Sequence, residues 1–498
     1  MMRRILLPIL AGSVFAWLTA QADVKPNALF SNGAVLQQGI RVPVWGTARD
    51  GEKITVKFQS QTLTATARGG RWLVRLKPLK PGGPLTMTIA GDNTVTLTNV
   101  LVGEVWLCSG QSNMAFPLSR ADNAADAIAA AADPQLRLFT VPRGAADLPR
   151  TELSGEWRES APSSASNFSA VAYFFGRDLR KARNVPVGLI HSSVGGTPAE
   201  AWTARAALEA DRELRAIVDD SAACVHAYRA TNAFVHQLAL AKYTEAAKRA
   251  KAEGRPVPKR PRSPDNPATA MRRPSGLYNA MIAPLQPYAL AGVIWYQGEA
   301  NAGRAQQYQK LFPAMIRNWR AAWGQGAFPF LFVQIAPHER MTPEIREAQL
   351  FTWRRVPRTA MAVITDAGNA TDIHPTQKEP VGARLALAAR AIACGEKLEY
   401  SGPVFDSMKV KAGRAILCFK HVGGGLVAQG GELKGFTIAG KDGNFVPATA
   451  KIDGNKVVVT AAEVAKPITV RYGWASVPDV NLFNREGLPA SPFGADVK

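Results

Sequence analysis

From Asp23 to about Asn99, apolar and polar residues alternate in short runs: Ile40–Gly46, Lys53–Phe58, Gln61–Ala67, Arg71–Leu76 and Leu85–Ile89. Turn-forming clusters such as Arg49-Asp50-Gly51 and Pro81-Gly82-Gly83 separate them. Period-two alternation at this spacing predicts a β-sandwich. From Leu101 to about Gly395 the pattern changes. Continuous apolar runs (Val102–Cys108, Val187–Ser192, Ala291–Tyr296, Phe328–Ile335, Ala360–Thr365) alternate with helical stretches. In Arg304–Trp323, Tyr308, Leu311, Phe312, Met315 and Trp319 recur at helical spacing, and Pro380–Cys394 is a second clear helix. Such alternation predicts parallel βαβ units. Within it, Leu208–Lys251 reads as helical and the Pro- and Arg-rich Gly254–Pro274 as irregular, together an insertion near 208–274. From about Ser401 alternation returns in Met408–Lys411, Ala415–Phe419, Phe436–Ile438, Lys456–Thr460 and Ile468–Tyr472. These runs form either a second sandwich or the remainder of the first sheet. The expected units are 23–100, 101–400 and 401–498, and no internal repeat is evident.

The start of the chain changes the picture of compartment. Arg3-Arg4, the apolar run Ile5–Leu18 and Ala20-Gln21-Ala22 have the grammar of a signal peptide over residues 1–22, cleaved near Ala22. The run is too short for a membrane anchor, and no later segment is apolar for long enough to span a bilayer. The expected product is exported, periplasmic or secreted. Its four cysteines, Cys108, Cys224, Cys394 and Cys418, lie far apart without metal-ligand spacing. Free burial is the expectation for Cys108 and Cys418, which sit in apolar runs. At 498 residues, 47% of them hydrophobic and 20% charged, the chain can bury a large core and does not read as disordered. Net charge is +21, with much of the excess in Lys248–Arg273. That balance favours acidic partners in general; a solvated basic insertion without a specific ligand accounts for it equally simply.

Candidate chemistry gathers where apolar runs stop. Val102–Cys108 ends at Ser109-Gly110-Gln111-Ser112-Asn113, which would expose a serine hydroxyl at the carboxyl end of a strand, where open α/β sheets hold their ligand crevices. Ser112 is the candidate nucleophile, and its own backbone N–H a candidate oxyanion donor. A serine in a glycine-rich turn is by itself an ordinary turn or helix cap; its company argues otherwise. Asp366-Ala-Gly-Asn-Ala-Thr-Asp372-Ile-His374-Pro375 offers a histidine flanked by carboxylates, and His374 is the candidate base. His191, His226, His236, His338 and His421 lack a comparable carboxylate context and read as structural. The group orienting His374 is Asp372, Asp366 or a backbone carbonyl. Gly195-Gly196 follows one strand-like run, so the Gly196 N–H can approach a reacting centre. Gln297 follows another and offers a side-chain donor to the same oxyanion. Glu299 and Asn301 are polar neighbours expected to orient groups around the substrate. Trp202 and Trp295 either wall a sugar subsite or pack in the core.

These residues resemble the sialate O-acetylesterase family of the SGNH-hydrolase group. The matching pieces are Gly110-Gln-Ser-Asn-Met114, Gly195-Gly-Thr-Pro-Ala-Glu-Ala-Trp202, Gly276–Leu285, Trp295-Tyr-Gln-Gly-Glu-Ala-Asn301, and Asp372-Ile-His-Pro375 with Val381–Ala386, in family order. The resemblance implies a flavodoxin-like three-layer α/β/α core with flanking β-sandwich segments. It implies Ser112 as nucleophile, His374 as base, Ser112, Gly196 and Gln297 around the oxyanion, and neither metal nor cofactor. The group's acid pattern is Asp-x-x-His, but Thr371 stands three before His374 and Asp372 one position late. The expected activity is that of an exported serine esterase removing O-acetyl groups from carbohydrate, O-acetylated sialic acids foremost. An acetylxylan or other plant-glycan acetylesterase is the alternative on the same core, and a non-catalytic glycan-binding protein the alternative of another class. Nucleic-acid binding through Lys248–Arg273 is opposed by the export signal.

Overall fold

The structure is a computed structural model describing residues 23–261 and 266–496; the expected signal peptide lies outside the described residues. Its centre is an 11-stranded sheet. Seven of its strands form the central path: β1 (Thr94–Gly110), β2 (Asp133–Thr140), β3 (Trp157–Ser160), β4 (Val187–Ser193), β5 (Gly292–Tyr296), β6 (Phe330–Val333) and β7 (Thr359–Ala362). Their spatial order is β3-β2-β4-β1-β5-β6-β7. All neighbours are parallel except β3, which runs antiparallel to β2 at the edge. The chain leaves β1 toward β2 and β3 on one side, then returns through β4 and crosses β1 to β5, β6 and β7 on the other, so β1 lies at the switch point at which open α/β sheets place a crevice.

Strands β4 to β7 are buried along their whole length because helices cover both faces. The helices are α1 (Ala170–Arg183), α2 (Ala305–Trp323), α3 (Pro343–Arg355) and α4 (Glu379–Ile392). Side chains alternate across the pleat. Trp106, Cys108, Ile294, Tyr296, Leu331 and Val333 share a core with Phe174 and Phe175 of α1 and Leu385 of α4. Val105, Leu107, Val293, Trp295, Phe330 and Phe332 join Tyr308 and Phe312 of α2 and Ile345 of α3. The helical spacing of Arg304–Trp323 is thus the buried stripe of α2, which stops at the left-handed Gly324.

β1 is also the seam to the N-terminal strands. Its first half pairs antiparallel with Gly82–Ala90, Leu101–Gly103 pair parallel with Val35–Gln37, and its second half runs between β4 and β5. The boundary expected at residue 100 falls inside one unbroken strand, because a strand apolar on both faces at one end and alternating at the other reads as two. Tyr288 Oη and Trp157 Nε1 close the seam by donating to the Val35 and Leu29 carbonyls, at 2.7 and 2.9 Å.

The returning C-terminal strands pair among themselves. Val404–Lys411, Arg414–Lys420, Thr449–Asp453 and Lys456–Thr460 form one four-stranded sheet, and Phe436–Ala439, Val446–Pro447, Thr469–Tyr472 and Phe493–Asp496 another. They do not complete the first sheet. Arg346 of α3 ties them to the centre: wholly buried, it donates to the carbonyls of Ile335, Ala475 and Ser476 at 3.3, 2.8 and 2.6 Å. Burial without a carboxylate partner lowers its pKa to about 10. Arg346→Met takes the donor from three carbonyls, of which that of Ile335 belongs to a buried residue, so it is expected to cost about 2 kcal/mol, read as a lowered urea midpoint with the α/β core otherwise native.

The insertion is helical as expected, over Arg212–Ala227 and Ala233–Ala252. Leu214, Ile217 and Val218 anchor its start in the core, while Phe234, Val235 and Leu238 are exposed. The four cysteines are unpaired; Cys108 is buried and Cys418 half-buried. No helix among the described residues is long and apolar enough to cross a membrane.

Candidate active site

The three central strands end level. Ser193 and Tyr296 both lie opposite Gly110, so the segments that follow β4, β1 and β5 emerge side by side. They carry Gly195-Gly196, Gln111-Ser112-Asn113 and Gln297-Gly298-Glu299 in turn. Gly110 makes the turn possible. Its φ is +141°, and a Cβ there would stand 2.2 Å from the Tyr296 carbonyl oxygen. Ser112 then opens the short helix Ser112–Ala115 and stays half-buried. A Cβ on Gly195 would lie 3.3 Å from Ser112 Cβ, so the glycine turn borders the serine directly. Gly196, at φ +69°, is exposed with open space around it.

His374 arrives from the loop between β7 and α4, half-buried. Asn113 joins this loop to the serine turn: its Nδ2 donates to the Ile373 carbonyl at 3.0 Å and to Glu299 Oε1 at 2.7 Å. The residue after Ser112 thus holds the residue before His374. Gln111, on the other side of Ser112, accepts from the Ala300 and Gly298 backbone N–H groups at 3.2 and 3.4 Å. The Asp122 N–H donates to the Thr376 carbonyl and pins the histidine loop from a third direction.

The imidazole of His374 sits below its usual pKa of 6.5, chiefly through burial. Asp372 opposes this, and the positive charges of Lys378 and Arg120, with His338, add to it. A histidine so placed is neutral, and able to take a proton, at neutral pH. Asp372 Oδ1 stands 3.8 Å from His374 Nδ1 and accepts the His374 backbone N–H at 2.8 Å. Asp366, the other candidate orienting carboxylate, is taken: Arg384 clamps both its oxygens at 2.7 and 2.6 Å.

Several of the expected site residues lie inside the fold, each with protein partners. Gln297 is fully buried, its Nε2 donating to Asn301 Oδ1 at 2.7 Å while its Oε1 accepts from Tyr308 Oη at 3.0 Å. Its second Nε2 hydrogen faces only the Thr197 carbonyl, at 3.4 Å. Asn301 is bonded inside the fold likewise, accepting from Ala199 N–H and donating to Glu200 Oε2, both at 2.9 Å. Trp202 presents no ring face to a sugar: it is fully buried, edge-on to Trp295, and donates to Thr197 Oγ1. Glu299 is buried with Oε1 accepting from Asn113, while its Oε2 has no hydrogen-bond partner. His421 does have a carboxylate, Glu399 at 2.7 Å, but it lies in the C-terminal region stacked on Trp353.

Two residues were not legible beforehand, Asn113 and Lys378. Lys378 is 1% exposed; its Nζ donates to Asn113 Oδ1 at 2.6 Å and stands over the rings of Phe116 and Tyr296 at 4.8 and 5.5 Å. Burial lowers its pKa to about 7, against the attraction of Glu299 and Asp372. Burial raises the Glu299 carboxyl in turn, opposed by Asn113 and Lys378. Lysine is so rarely buried that its type gave no signal; Asn113 offered only its place beside Ser112. A cavity of about 670 Å³ lined by Trp45, Arg71, Trp72 and Arg150 contains none of Ser112, Gly196 and His374.

The sequence matches a family model described as carbohydrate esterase, sialic acid-specific acetylesterase, over residues 267–391. It is 30% identical to the sialate O-acetylesterase of Rattus norvegicus, across 91% of each chain. It is 29% identical to that of Homo sapiens, across 93% of this chain and 91% of that one. The crystal structure of a carbohydrate acetylesterase from Xanthomonas citri superposes with a TM-score of 0.81 at 40% identity, covering 95% of this chain and 100% of the other.

Proposed function

The chain belongs to the sialate O-acetylesterase family, and from that premise we propose that it hydrolyses the O-acetyl groups of sialic acids through Ser112 and His374. It is a carboxylic ester hydrolase acting on acetylated carbohydrate. The observation that carries the reading is the bond from Asn113 to the Ile373 carbonyl, 3.0 Å, which ties the serine turn to the histidine loop across 260 residues of sequence.

In the proposed reaction Ser112 Oγ attacks the acetyl carbonyl carbon while His374 takes the hydroxyl proton. The oxyanion is met by the backbone N–H groups of Ser112 and Gly196, with the Gln297 side-chain amide as the third candidate donor. Collapse breaks the bond to the sugar oxygen, which receives the proton from His374. Water deprotonated by His374 then attacks the acetyl-serine, the bond to Oγ breaks as Oγ takes that proton back from His374, and acetate departs. Asp372 is the orienting carboxylate, supported by its ion-pair distance of 3.8 Å and its favourable effect on the imidazolium. The strand order and the two cores on opposite faces of the sheet support an SGNH-type, flavodoxin-like α/β/α centre. The β-rich segments 23–100 and 401–498 are assigned as flanking units, and the start of the chain supports export.

The test is acetate release by the wild-type protein from O-acetylated sialoglycan and from acetylated xylan at equal acetyl concentration. Release mainly from the sialoglycan is expected. Preference for xylan moves the substrate to neutral glycan, a reading favoured by the broader description of the Xanthomonas citri relative. Release from neither substrate by folded protein overturns the enzymatic assignment.

A further inference from the structure

Lys378 is a charged side chain buried against the candidate site without a role in the reaction as drawn. It lies four residues beyond His374, immediately before α4, and its Nζ meets Asn113 Oδ1 at 2.6 Å. Because that oxygen is occupied by a donor, the Asn113 amide has one orientation, with Nδ2 directed at the Ile373 carbonyl and Glu299 Oε1. Each of those bonds reaches a different segment: the serine turn, the histidine loop and the turn after β5. The Phe116 and Tyr296 rings lie beneath the ammonium group and limit where it can go.

We infer that Lys378 is a positioning residue for the acetyl-transfer step, setting the approach of His374 to Ser112 by fixing Asn113 between their two loops. The inference rests on the Ser112–His374 reading above. Lys378 is 1% exposed, and its Nζ is held on Asn113. It acts on the nucleophile–base separation, and a misplacement of about 1 Å at such a pair costs on the order of 100-fold. Its charge reaches His374 as well. The groups facing this pocket are Glu299 from the turn after β5, Asp372 from the histidine loop, Arg120 from the turn after the serine helix, and His338 from the loop after β6. Lys378, like Arg120 and His338, disfavours the imidazolium of His374, and Asp372 favours it.

The experiment uses the full chain and 4-nitrophenyl acetate, which needs no sugar contact. Lys378→Met is expected to lose about 10- to 100-fold in kcat with KM nearly unchanged. The acidic limb of its kcat/KM profile is expected to move to higher pH, since a cation opposing His374 protonation is gone. Asn113→Ala removes the same bridge while keeping the charges of Lys378 and Glu299, so it is expected to lose kcat without that shift. The double variant is expected to lose no more than the worse single. Should Lys378→Met fail to fold, kcat retained by Asn113→Ala overturns the proposal and kcat lost at constant KM supports it. A folded Lys378→Met with unchanged kcat and acidic limb overturns it, as do losses that multiply in the double variant. Failure of the underlying reading is separate: there Ser112→Ala stays active.

Discussion

Ser112→Ala is expected to abolish acetate release, by at least about 10⁴-fold in kcat, with far-UV circular dichroism and the thermal midpoint unchanged. The size follows from the lack of a substitute. Ser109, three residues earlier, is fully buried and its Oγ has no hydrogen-bond partner. Ser193, at the end of the neighbouring strand, does form a serine–histidine pair, with His191 Nε2 at 2.6 Å. By distance alone that pair looks more like a catalytic dyad than Ser112 and His374, which no hydrogen bond joins. Burial decides between them. Ser193 is 3% and His191 8% exposed, and burial lowers the His191 pKa to about 4, leaving it a weak base. Phe168 packs edge-on against that imidazole, with ring centroids 5.4 Å apart. Ser193→Ala is the control and is expected to keep activity within a few-fold. Activity retained in Ser112→Ala but lost in Ser193→Ala would move the reaction to the buried pair.

The sheet was legible because its strands are buried on both faces: runs such as Ala291–Tyr296 have no polar positions to confuse with a helix pattern, and the observed strand is Gly292–Tyr296. The helical stripe of α2 was legible for the complementary reason, a solvated face that leaves its buried positions at period 3.6. The unity of β1 was not. Its 17 residues pass from a sheet with one solvated face to one covered on both, and the change of pattern imitates a boundary.

In the candidate site, the placement of Ser112, Gly196 and His374 was legible because each comes after an apolar run, and chain direction alone sends such residues to one edge of a parallel sheet. What a side chain does there depends on its partners. Gln297 and Asn301 look like donors for a ligand, yet they satisfy each other and neighbouring backbone groups inside the fold. Trp202 looks like a sugar platform and is instead core, with its N–H on Thr197. Asp366 looks as suitable as Asp372 until Arg384, 18 residues later, is found holding it. Pairing across such distances leaves no local trace, which is also why Lys378 escaped notice.

His374→Gln is expected to lose about 10³- to 10⁴-fold in kcat, less than the serine variant if alkaline hydroxide partly replaces the base. Glutamine keeps the volume and a polar tip but cannot accept a proton at neutral pH. The pH dependence gives the sharper test. In the wild type the free base is the active form, so kcat/KM falls as pH drops through the His374 pKa. Burial, reinforced by Lys378, Arg120 and His338, holds that pKa below 6.5, so activity is expected to persist into mildly acidic solution and its half-point to lie below 6.5. Asp372→Asn removes the carboxylate that favours the imidazolium, so the half-point moves lower still. Rate on the plateau falls too, since the ring loses its orienting charge. If Asp372→Asn leaves both the half-point and the plateau unchanged, the reaction runs on Ser112 and His374 alone. A wild-type half-point above 6.5 would mean that the histidine is more solvated, or more strongly paired, than its loop allows.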